Sequence, residues 1–402
     1  MSILAARLHN IKPSPTMAVT AKANELIAAG RDVISLGPGE PDFDTPEHIR
    51  TACKAAIDAG KSRYVTPAGI AELREAIRAK FERDNGLTYG IDEITVGSGG
   101  KQLIYNTLAA TLEEGDEVII PAPYWVSYPD ITHLYGGSPV VIHCSAETGF
   151  KLTPEQLRAA ITCRTKWLFL NSPSNPTGAC YTAKELKALA AVLQEPGHEN
   201  VWVFSDDIYE HIVYDGTEFA TMASAAPEMA SRTLTLNGMS KAYCMTGWRL
   251  AYAAGPRELI SALNKLQSQS MTSSTTFVQW AGIEALTGDH GFIGQHNEEF
   301  RSRRDLVVRK MNAIDGIECL CPAGAFYVFP SCAAMIGKQT PDGKTIETDE
   351  DFVTYLLERE GVACVHGAAF GLSPHFRISF ATSLDTLEEA CNRIRRACED
   401  LI

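Results

Sequence analysis

The chain has 402 residues, of which 45% are apolar and 21% are charged, as in ordinary globular proteins. This length is enough for two domains, and the net charge of −13 argues against binding to nucleic acid or to acidic membrane surfaces. The sequence contains neither an apolar run long enough to span a membrane nor a secretion signal at its start. Its eleven scattered cysteines are typical of reduced thiols rather than of a metal site, so we expect a cytoplasmic protein.

The first part of the chain predicts an arm, a helix and a short strand. Residues 1–32 form the arm and the helix, and the strand follows at 33–36. Thr45 is then expected to cap a helix whose first residue is Pro46 and which stops at Gly60. Another helix is predicted over 70–85, where a glycine follows as the stop signal.

Short apolar strands alternate with helices between residues 93 and 254. The strands are predicted at 94–96, 117–120, 139–143, 167–170, 201–204, 233–236 and 250–253. Most of them are apolar on both faces, which indicates an α/β fold with a mainly parallel seven-stranded sheet covered by helices. Ligands in such folds bind at the carboxyl ends of the strands.

A different pattern begins after residue 256. Long helices are predicted at 257–270, 276–287 and 290–313, and shorter elements follow to the end of the chain. These are strands at 325–329, 362–365 and 377–381 and helices at 350–360 and from 384 onward. Helices beside a few strands indicate a second, smaller α+β domain.

The segment 237–251 lies between two predicted strands and contains Lys241 and Arg249 among small and apolar residues. Burial there lowers the pKa of a lysine, and a neutral amine can form a Schiff base with an aldehyde. An arginine can bind a phosphate with two hydrogen bonds. A solvated loop with two surface cations is the alternative interpretation.

Three other segments place polar residues just after predicted strands. Gly97–Gln102 can bind a phosphate at a helix N-terminus, although a flexible turn has the same composition. Asn175 stands in an Asn-Pro turn, where its amide can donate to a phenolate or merely end a strand. Asp206 can pair with a pyridinium or cap a helix, and Tyr209 lies close enough to reach the same ring. A phosphate site, an acid, two phenolate donors and a lysine together fit pyridoxal phosphate.

These motifs resemble, in order and spacing, those of the class I pyridoxal-phosphate aminotransferases of fold type I. The segments that carry the resemblance are 175–178, 206–209 and 240–249. The likeness covers nearly the whole chain and is greatest to the bacterial aspartate aminotransferase branch, whose members begin with a Lys-Pro-Ser segment such as 12–14. It implies a large cofactor-binding domain at 48–289, with the N-terminal arm and small domain formed by 1–47 and 290–402.

The resemblance also implies a role for each matched residue. Lys241 would bind the cofactor aldehyde and then move the proton, Asp206 would pair with the pyridine nitrogen, and Asn175 and Tyr209 would bond the phenolic oxygen. The phosphate would be surrounded by Gly99, Gly100, Lys101 and Arg249, and by Tyr64 from the other subunit of a homodimer with shared sites. The substrate would meet Gly39, Trp125, Asn175 and Arg377, of which Trp125 would also lie over the cofactor and Arg377 would hold the α-carboxylate.

The chain departs from the family pattern at two places. Gly238 stands where many aminotransferases have a phosphate-binding serine, and the segment 267–276 has no arginine for the distal carboxylate of a dicarboxylic substrate. In the similar bacterial branch, that carboxylate is attributed to residues matching Lys101 and Thr16, and the residue matching Lys12 is linked to use of prephenate. Lys12 and Thr16 also fit a solvated N-terminal arm.

The leading functional hypothesis is transamination between L-aspartate and 2-oxoglutarate, which gives oxaloacetate and L-glutamate. Glutamate–prephenate exchange, which gives arogenate, is a possible second activity. The missing arginine supports an aromatic or neutral amino-acid aminotransferase as the alternative. A cofactor-binding regulator without turnover is a third hypothesis, which the short arm and the acidic charge argue against. Amino acids and 2-oxo acids are thus the expected partners.

Overall fold

A computed structural model of the protein describes residues 3–11, 13 and 15–402. Within these residues, none of the helices combines the length and apolar character that crossing a membrane requires. Most of the chain outside the N-terminal arm lies in regular elements, and the connections between them include long segments such as 207–221 and 239–250.

The described residues form thirteen α-helices and several short 3-10 helices. The α-helices are α1 Pro15–Ala28, α2 Glu47–Asp58, α3 Ala71–Asn85, α4 Gly100–Thr111, α5 Ser127–Leu134, α6 Pro154–Ala160, α7 Ala183–Leu193, α8 Met222–Ala225, α9 Arg257–Ser270, α10 Thr276–Thr287, α11 Gly291–Asn312, α12 Asp349–Glu360 and α13 Leu384–Glu399. The 3-10 helices are Ala6–Asn10, Ile91–Glu93, Ala146–Thr148, Pro227–Arg232, Ala333–Met335 and Gly367–Phe370.

Twelve strands complete the described secondary structure. They are β1 Ile34–Ser35, β2 Ile94–Gly97, β3 Glu117–Ala122, β4 Ser138–His143, β5 Thr165–Asn171, β6 Trp202–Asp206, β7 Thr233–Gly238, β8 Ala251–Ala254, β9 Tyr327–Val328, β10 Val362–Ala363, β11 Val365–His366 and β12 Phe376–Ser379.

The large sheet has seven strands in the order β2-β8-β7-β6-β5-β3-β4. Strand β8 is antiparallel to both of its neighbours, and the other neighbouring pairs are parallel. The residues of β2, β7 and β8 are all buried, as expected for strands that helices cover on both faces. The predicted α/β fold with a mainly parallel seven-stranded sheet is therefore confirmed.

Each face of the large sheet packs against its own layer of apolar side chains. One layer joins the sheet to α4, α5 and α9, and it contains Leu103, Phe169 and Leu263. The opposite layer joins it to α6, α7 and α8, and it contains Leu170 and Leu189. Burial of these two layers is the main force that holds the sheet between its helices.

Two helix boundaries show how far local sequence signals reach. Helix α3 ends as predicted, because Gly86 follows it in the left-handed conformation, with a φ of 65°. The predicted cap of α2 is wrong: the helix begins at Glu47, and Pro46 is its N-cap. Thr45 instead donates its hydroxyl proton to the carbonyl of Cys244 at 2.5 Å, so a distant loop takes the group that a cap would use.

The carboxyl-terminal part forms a three-stranded antiparallel sheet in the order β11-β12-β9, packed with α11, α12 and α13. A parallel pair, β1 with β10, joins this part to the beginning of the chain through Ile34 and Val362. Helices beside a few short strands agree with the predicted smaller α+β unit. The division of the chain after residues 47 and 289 stays a prediction.

Candidate active site

The loop between β7 and β8 brings two cations to one edge of the large sheet. Because β8 runs back against β7, the loop leaves and re-enters the sheet at the carboxyl ends of β6 and β7. Backbone bonds close it into a compact turn, with the amide of Met245 donating to the carbonyl of Ser240. Lys241 and Arg249 therefore reach the same cavity, and the solvated-loop alternative is wrong for Lys241.

The amine of Lys241 is held in a buried position. It donates a hydrogen bond to the carbonyl of Gly39 and lies 5.6 Å from the centre of the Tyr209 ring. Burial, with a further contribution from Arg377, lowers the pKa of Lys241 to about 8. About a tenth of the amine is thus neutral at pH 7, far more than for a lysine in water, as the small and apolar neighbours in the sequence led us to expect.

Asp206 is the last residue of β6, and only 5% of its surface is exposed. Its Oδ2 atom accepts a hydrogen bond of 2.6 Å from the hydroxyl of Tyr128, and Oδ1 accepts one of 3.4 Å from the amide of Ile208. Burial raises the pKa of Asp206 to about 6, against the effect of these two bonds. A turn rather than a helix follows the strand, so the alternative of a helix cap is wrong.

Arg377 joins three distant parts of the chain in the cavity wall. Its guanidinium donates to Oδ1 of Asn175 at 2.8 Å and to the carbonyl of Gly37. Its centre lies 4.7 Å from that of the Tyr327 ring, whose hydroxyl is 2.8 Å from the hydroxyl of Tyr209. Because the oxygen of Asn175 is committed to Arg377, its amide protons are the group left for an acceptor in the cavity.

Gly99, with a φ of 86°, immediately precedes α4, whose first residue is Gly100. A Cβ atom on Gly99 would lie 2.3 Å from Nη2 of Arg249, so the close approach of the guanidinium requires glycine there. Burial, and then the charge of Arg249, lowers the pKa of Lys101. The free amides of a helix N-terminus beside two cations form a site suited to a phosphate.

A cavity of about 510 Å³ collects most of the residues that the sequence singled out. It is lined by Thr16, Gly39, Gly100, Lys101, Trp125, Asn175, Asp206, Tyr209, Lys241, Arg249 and Arg377. Gly99 lies behind Arg249 rather than on the cavity wall. Tyr64 is 91% exposed and lies outside the cavity, and Lys12 lies outside the described residues.

Two tyrosines of the cavity wall were not among the predicted site residues. Tyr128 follows Trp125 by three residues, a spacing that places both side chains on one side of a helical turn. Tyr327 belongs to an apolar strand that the sequence marks only as part of the core. Helical spacing was therefore a usable signal for the first, whereas the second depends on packing between distant segments.

Gly238 shows where the sequence departs from the usual phosphate site. It lies in β7, where a Cβ atom would be 2.9 Å from Cβ of Ala251 and 3.0 Å from Cδ1 of Ile208. A side chain there would meet the neighbouring strand, so this position cannot supply a hydroxyl without local rearrangement. Ser240 lines the cavity, and it is the serine of this loop that can supply a hydroxyl in place of residue 238.

Comparisons with known proteins agree with this geometry. The sequence model of aminotransferase class I and II matches residues 31–394. An aspartate/prephenate aminotransferase of Cereibacter sphaeroides is 57% identical over 401 residues, which are 100% of both chains. The crystal structure of the aspartate aminotransferase from Rhizobium meliloti has a TM-score of 0.97 and 52% identity over 100% of both chains. That of the Thermus thermophilus aspartate aminotransferase with maleate has a TM-score of 0.92 and 44% identity, over 99% of this chain and 100% of the other.

Proposed function

The chain belongs to the class I and II aminotransferases, and from this premise we propose that it transfers the amino group of L-aspartate to 2-oxoglutarate. The products are oxaloacetate and L-glutamate, and exchange between glutamate and prephenate, which gives arogenate, is the proposed second activity. The observation that carries this proposal is that two cations, Arg377 and Lys101, line the same cavity as the buried amine of Lys241. A dicarboxylate needs two such cations, whereas a neutral amino acid needs one.

The residues of the cavity fit pyridoxal 5′-phosphate as the cofactor. The guanidinium of Arg249 against Gly99, beside the first amides of α4, fits the phosphate. The buried carboxyl of Asp206 fits a cationic ring nitrogen, and the amine of Lys241 fits the aldehyde. When bound, this cofactor supplies a carbonyl group for amines and a ring that accepts the electrons released at the substrate Cα.

The other residues then bind and orient the reacting groups. Arg377, fixed by Asn175, binds the substrate α-carboxylate with its guanidinium. The amide protons of Asn175 and the hydroxyl of Tyr209 would hold the phenolic oxygen of the cofactor by hydrogen bonds. Lys241 Nζ would be the base that takes the proton from the substrate Cα and holds it, because its lowered pKa leaves part of the amine unprotonated near neutral pH.

Lys101 is the proposed partner of the distal carboxylate, with Thr16 beside it on the cavity wall. The ammonium of Lys101 lies 4.9 Å from the centre of the Trp125 ring, which holds it over the cavity. Arg249 repels this ammonium, so a second carboxylate is a favourable partner for it. This arrangement replaces the arginine that the segment 267–276 lacks.

Lys101→Ala tests this assignment. We expect kcat/KM for aspartate to fall roughly 10- to 150-fold, the worth of a charged hydrogen bond of about 1.5–3 kcal/mol. The value for phenylalanine, which has no distal carboxylate, should fall much less. Lys22→Ala, which removes an exposed cation of α1 that pairs with Glu25, is the matched control and should leave both rates unchanged. An equal loss for the two substrates would remove Lys101 from this role.

An aromatic or neutral amino-acid aminotransferase is the second candidate. The segment 267–276, which has no arginine, favours it, as do the apolar residues Ile104, Trp125 and Leu236 on the cavity wall. Rates with aspartate, tyrosine, alanine and the pair of glutamate with prephenate separate the two candidates. A larger kcat/KM for tyrosine than for aspartate would favour the second candidate.

We also propose a cytoplasmic homodimer in which Tyr64 contributes to the partner's phosphate site. Tyr64 is 91% exposed, although a tyrosine in a folded protein usually has much of its ring buried. Several apolar side chains of the N-terminal part are exposed as well. Sedimentation should give twice the chain mass, and Tyr64→Phe should weaken cofactor binding without changing that mass. A monomer with full activity would contradict this proposal.

A further inference from the structure

Tyr128 lies on the cavity wall and has no part in the roles proposed above. It belongs to α5, and only 2% of its surface is exposed. Its hydroxyl donates to Oδ2 of Asp206 at 2.6 Å. Burial, and then the charge of Asp206, raises the pKa of Tyr128 well above its ordinary value, so the phenol keeps its proton and is the donor at any working pH.

This bond is the shorter of the two that the Asp206 carboxylate accepts from the described residues. The other donor is the amide of Ile208, at 3.4 Å from Oδ1. A short bond to a charged acceptor is the stronger of the two, because such bonds are charge-assisted. Tyr128 is therefore the main hydrogen-bonding partner that stabilises the ionised form of this carboxylate.

The groups that surround Asp206 make this donor important. Burial disfavours the carboxylate, and the pKa of the adjacent Asp207 is itself raised to about 8 by burial. Lys241 attracts the charge of Asp206 from across the cavity, and Tyr209 faces it as a neutral phenol. A carboxylate that is to leave a proton on a ring nitrogen must be the weaker base of the pair, and hydrogen bonding to its charged form makes it so.

Packing fixes the Tyr128 ring as well as its hydroxyl. The ring meets Trp125 edge to face, with centres 5.4 Å apart, and Phe169 in the same way at 5.1 Å. The hydroxyl of Thr132 donates to the backbone carbonyl of Tyr128 at 2.8 Å within α5. The two ring contacts hold the phenol ring in one orientation, so the position of its oxygen does not depend on Asp206 itself.

We propose that Tyr128 is a positioning residue that orients the Asp206 carboxylate and keeps it ionised, so that the proton stays on the ring nitrogen of the bound cofactor. This inference rests on the proposed function, because it requires pyridoxal phosphate in the cavity. Without the hydroxyl, the carboxylate becomes the stronger base. A ring nitrogen bound beside Asp206 would then hold its proton less firmly, and the positive charge that draws electrons from the substrate would be weaker.

Tyr128→Phe keeps the ring and its packing and removes the donor alone. The readout is the magnetic resonance signal of pyridoxal phosphate labelled at its ring nitrogen and bound to the full-length protein. We expect this signal to move from the protonated toward the neutral position in the variant. The rate constant kcat should fall roughly tenfold or more, and KM for aspartate should change less than about twofold. An unchanged nitrogen signal would overturn the proposal.

Two further variants separate this role from a general structural one. Tyr124→Phe removes a hydroxyl from the same segment, outside the 510 Å³ cavity, and should leave the nitrogen signal unchanged. A ring-fluorinated tyrosine at position 128 is a stronger donor and should move the signal in the opposite direction to Tyr128→Phe. Equal shifts in all three variants would show a packing effect and refute the assignment.

A measurement on the cofactor-free protein distinguishes failure of this inference from failure of the proposed function. Infrared titration follows the carboxyl band that Asp206→Asn removes, and the pKa of about 6 should rise by roughly one to two units in Tyr128→Phe. An unchanged midpoint would overturn the inference, whatever binds in the cavity. A wild-type protein that takes up no pyridoxal phosphate would instead overturn the proposed function.

Discussion

Gly99→Ala is the most direct test of the proposed phosphate site. Gly99 has a φ of 86° and a ψ of 158°, a combination that essentially only glycine adopts. The added Cβ atom would lie 2.3 Å from Nη2 and 2.8 Å from Cζ of Arg249, well inside contact distance. The guanidinium must therefore move away from the N-terminus of α4, and the phosphate loses one of its proposed partners.

Two contributions of different kind are expected from this substitution. Backbone strain of roughly 1–3 kcal/mol should lower the free energy of unfolding of the cofactor-free protein. The displaced guanidinium should cost a charged hydrogen bond of about 1.5–3 kcal/mol in the complex, which weakens pyridoxal phosphate binding roughly 10- to 150-fold. Urea unfolding measures the first contribution, and titration of the cofactor-free protein with pyridoxal phosphate measures the second.

Gly115→Ala is the matched control for backbone strain. Gly115 has a φ of 89°, but no heavy atom lies within 4 Å of the position that its Cβ would take. This variant should lose stability and keep its affinity for pyridoxal phosphate. Gly99→Ala protein with wild-type affinity would refute the phosphate site, and an equal loss of affinity in Gly115→Ala would show that strain alone is responsible.

Two buried cations give the remaining predictions. The pKa of Lys241 is lowered to about 8, because its charge is solvated in the unfolded chain and buried in the folded protein; below that pH this burial costs stability. The free energy of unfolding of cofactor-free Lys241→Met should thus exceed that of the wild type by roughly 2–3 kcal/mol at pH 7 and by under about 1 kcal/mol at pH 10. A difference in urea unfolding that stays constant between these pH values would contradict this. Lys80, fully buried, pairs with Glu210, so Lys80→Met should cost about 3–5 kcal/mol in the same assay. The double variant Lys80→Met/Glu210→Gln should recover at least half of the free energy of unfolding that Lys80→Met loses, because it removes both charges. A double variant as unstable as the single one would exclude a charge effect.

The seven strands of the large sheet were predictable because their signal is local. Runs such as 117–120 and 167–170 are apolar on both faces, and in the structure they differ from β3 and β5 only by a few residues at the ends. The same applies to α9, which occupies 257–270 as predicted. A strand that is buried on both faces of a sheet contains few polar residues. Its apolar run can therefore be recognised without knowing which strands lie beside it.

The sequence indicated that Asp206 and Lys241 lie near the carboxyl ends of strands, and the structure brings both to one cavity; their roles stay predictions. Thr45 was assigned wrongly because its capping preference is a local signal. In the structure its hydroxyl donates to the carbonyl of Cys244 and accepts from the indole of Trp248, both about 200 residues away. The partnership of Tyr128 with Asp206 spans 78 residues and leaves no trace in spacing. Contacts of this kind depend on the completed fold and not on the sequence nearby.

The bonds from Arg377 to Gly37 and Asn175 join a strand near the end of the sequence to segments that are synthesised much earlier. Ribosomes release a chain from its beginning, so Lys241 and the whole large sheet emerge before the strand that carries Arg377. During that interval the chain has the amine of Lys241 but lacks the proposed partner of an α-carboxylate, Arg377. If Arg377 has its proposed role, the cavity can hold an α-carboxylate only after β12 has been synthesised and has packed against Gly37 and Asn175.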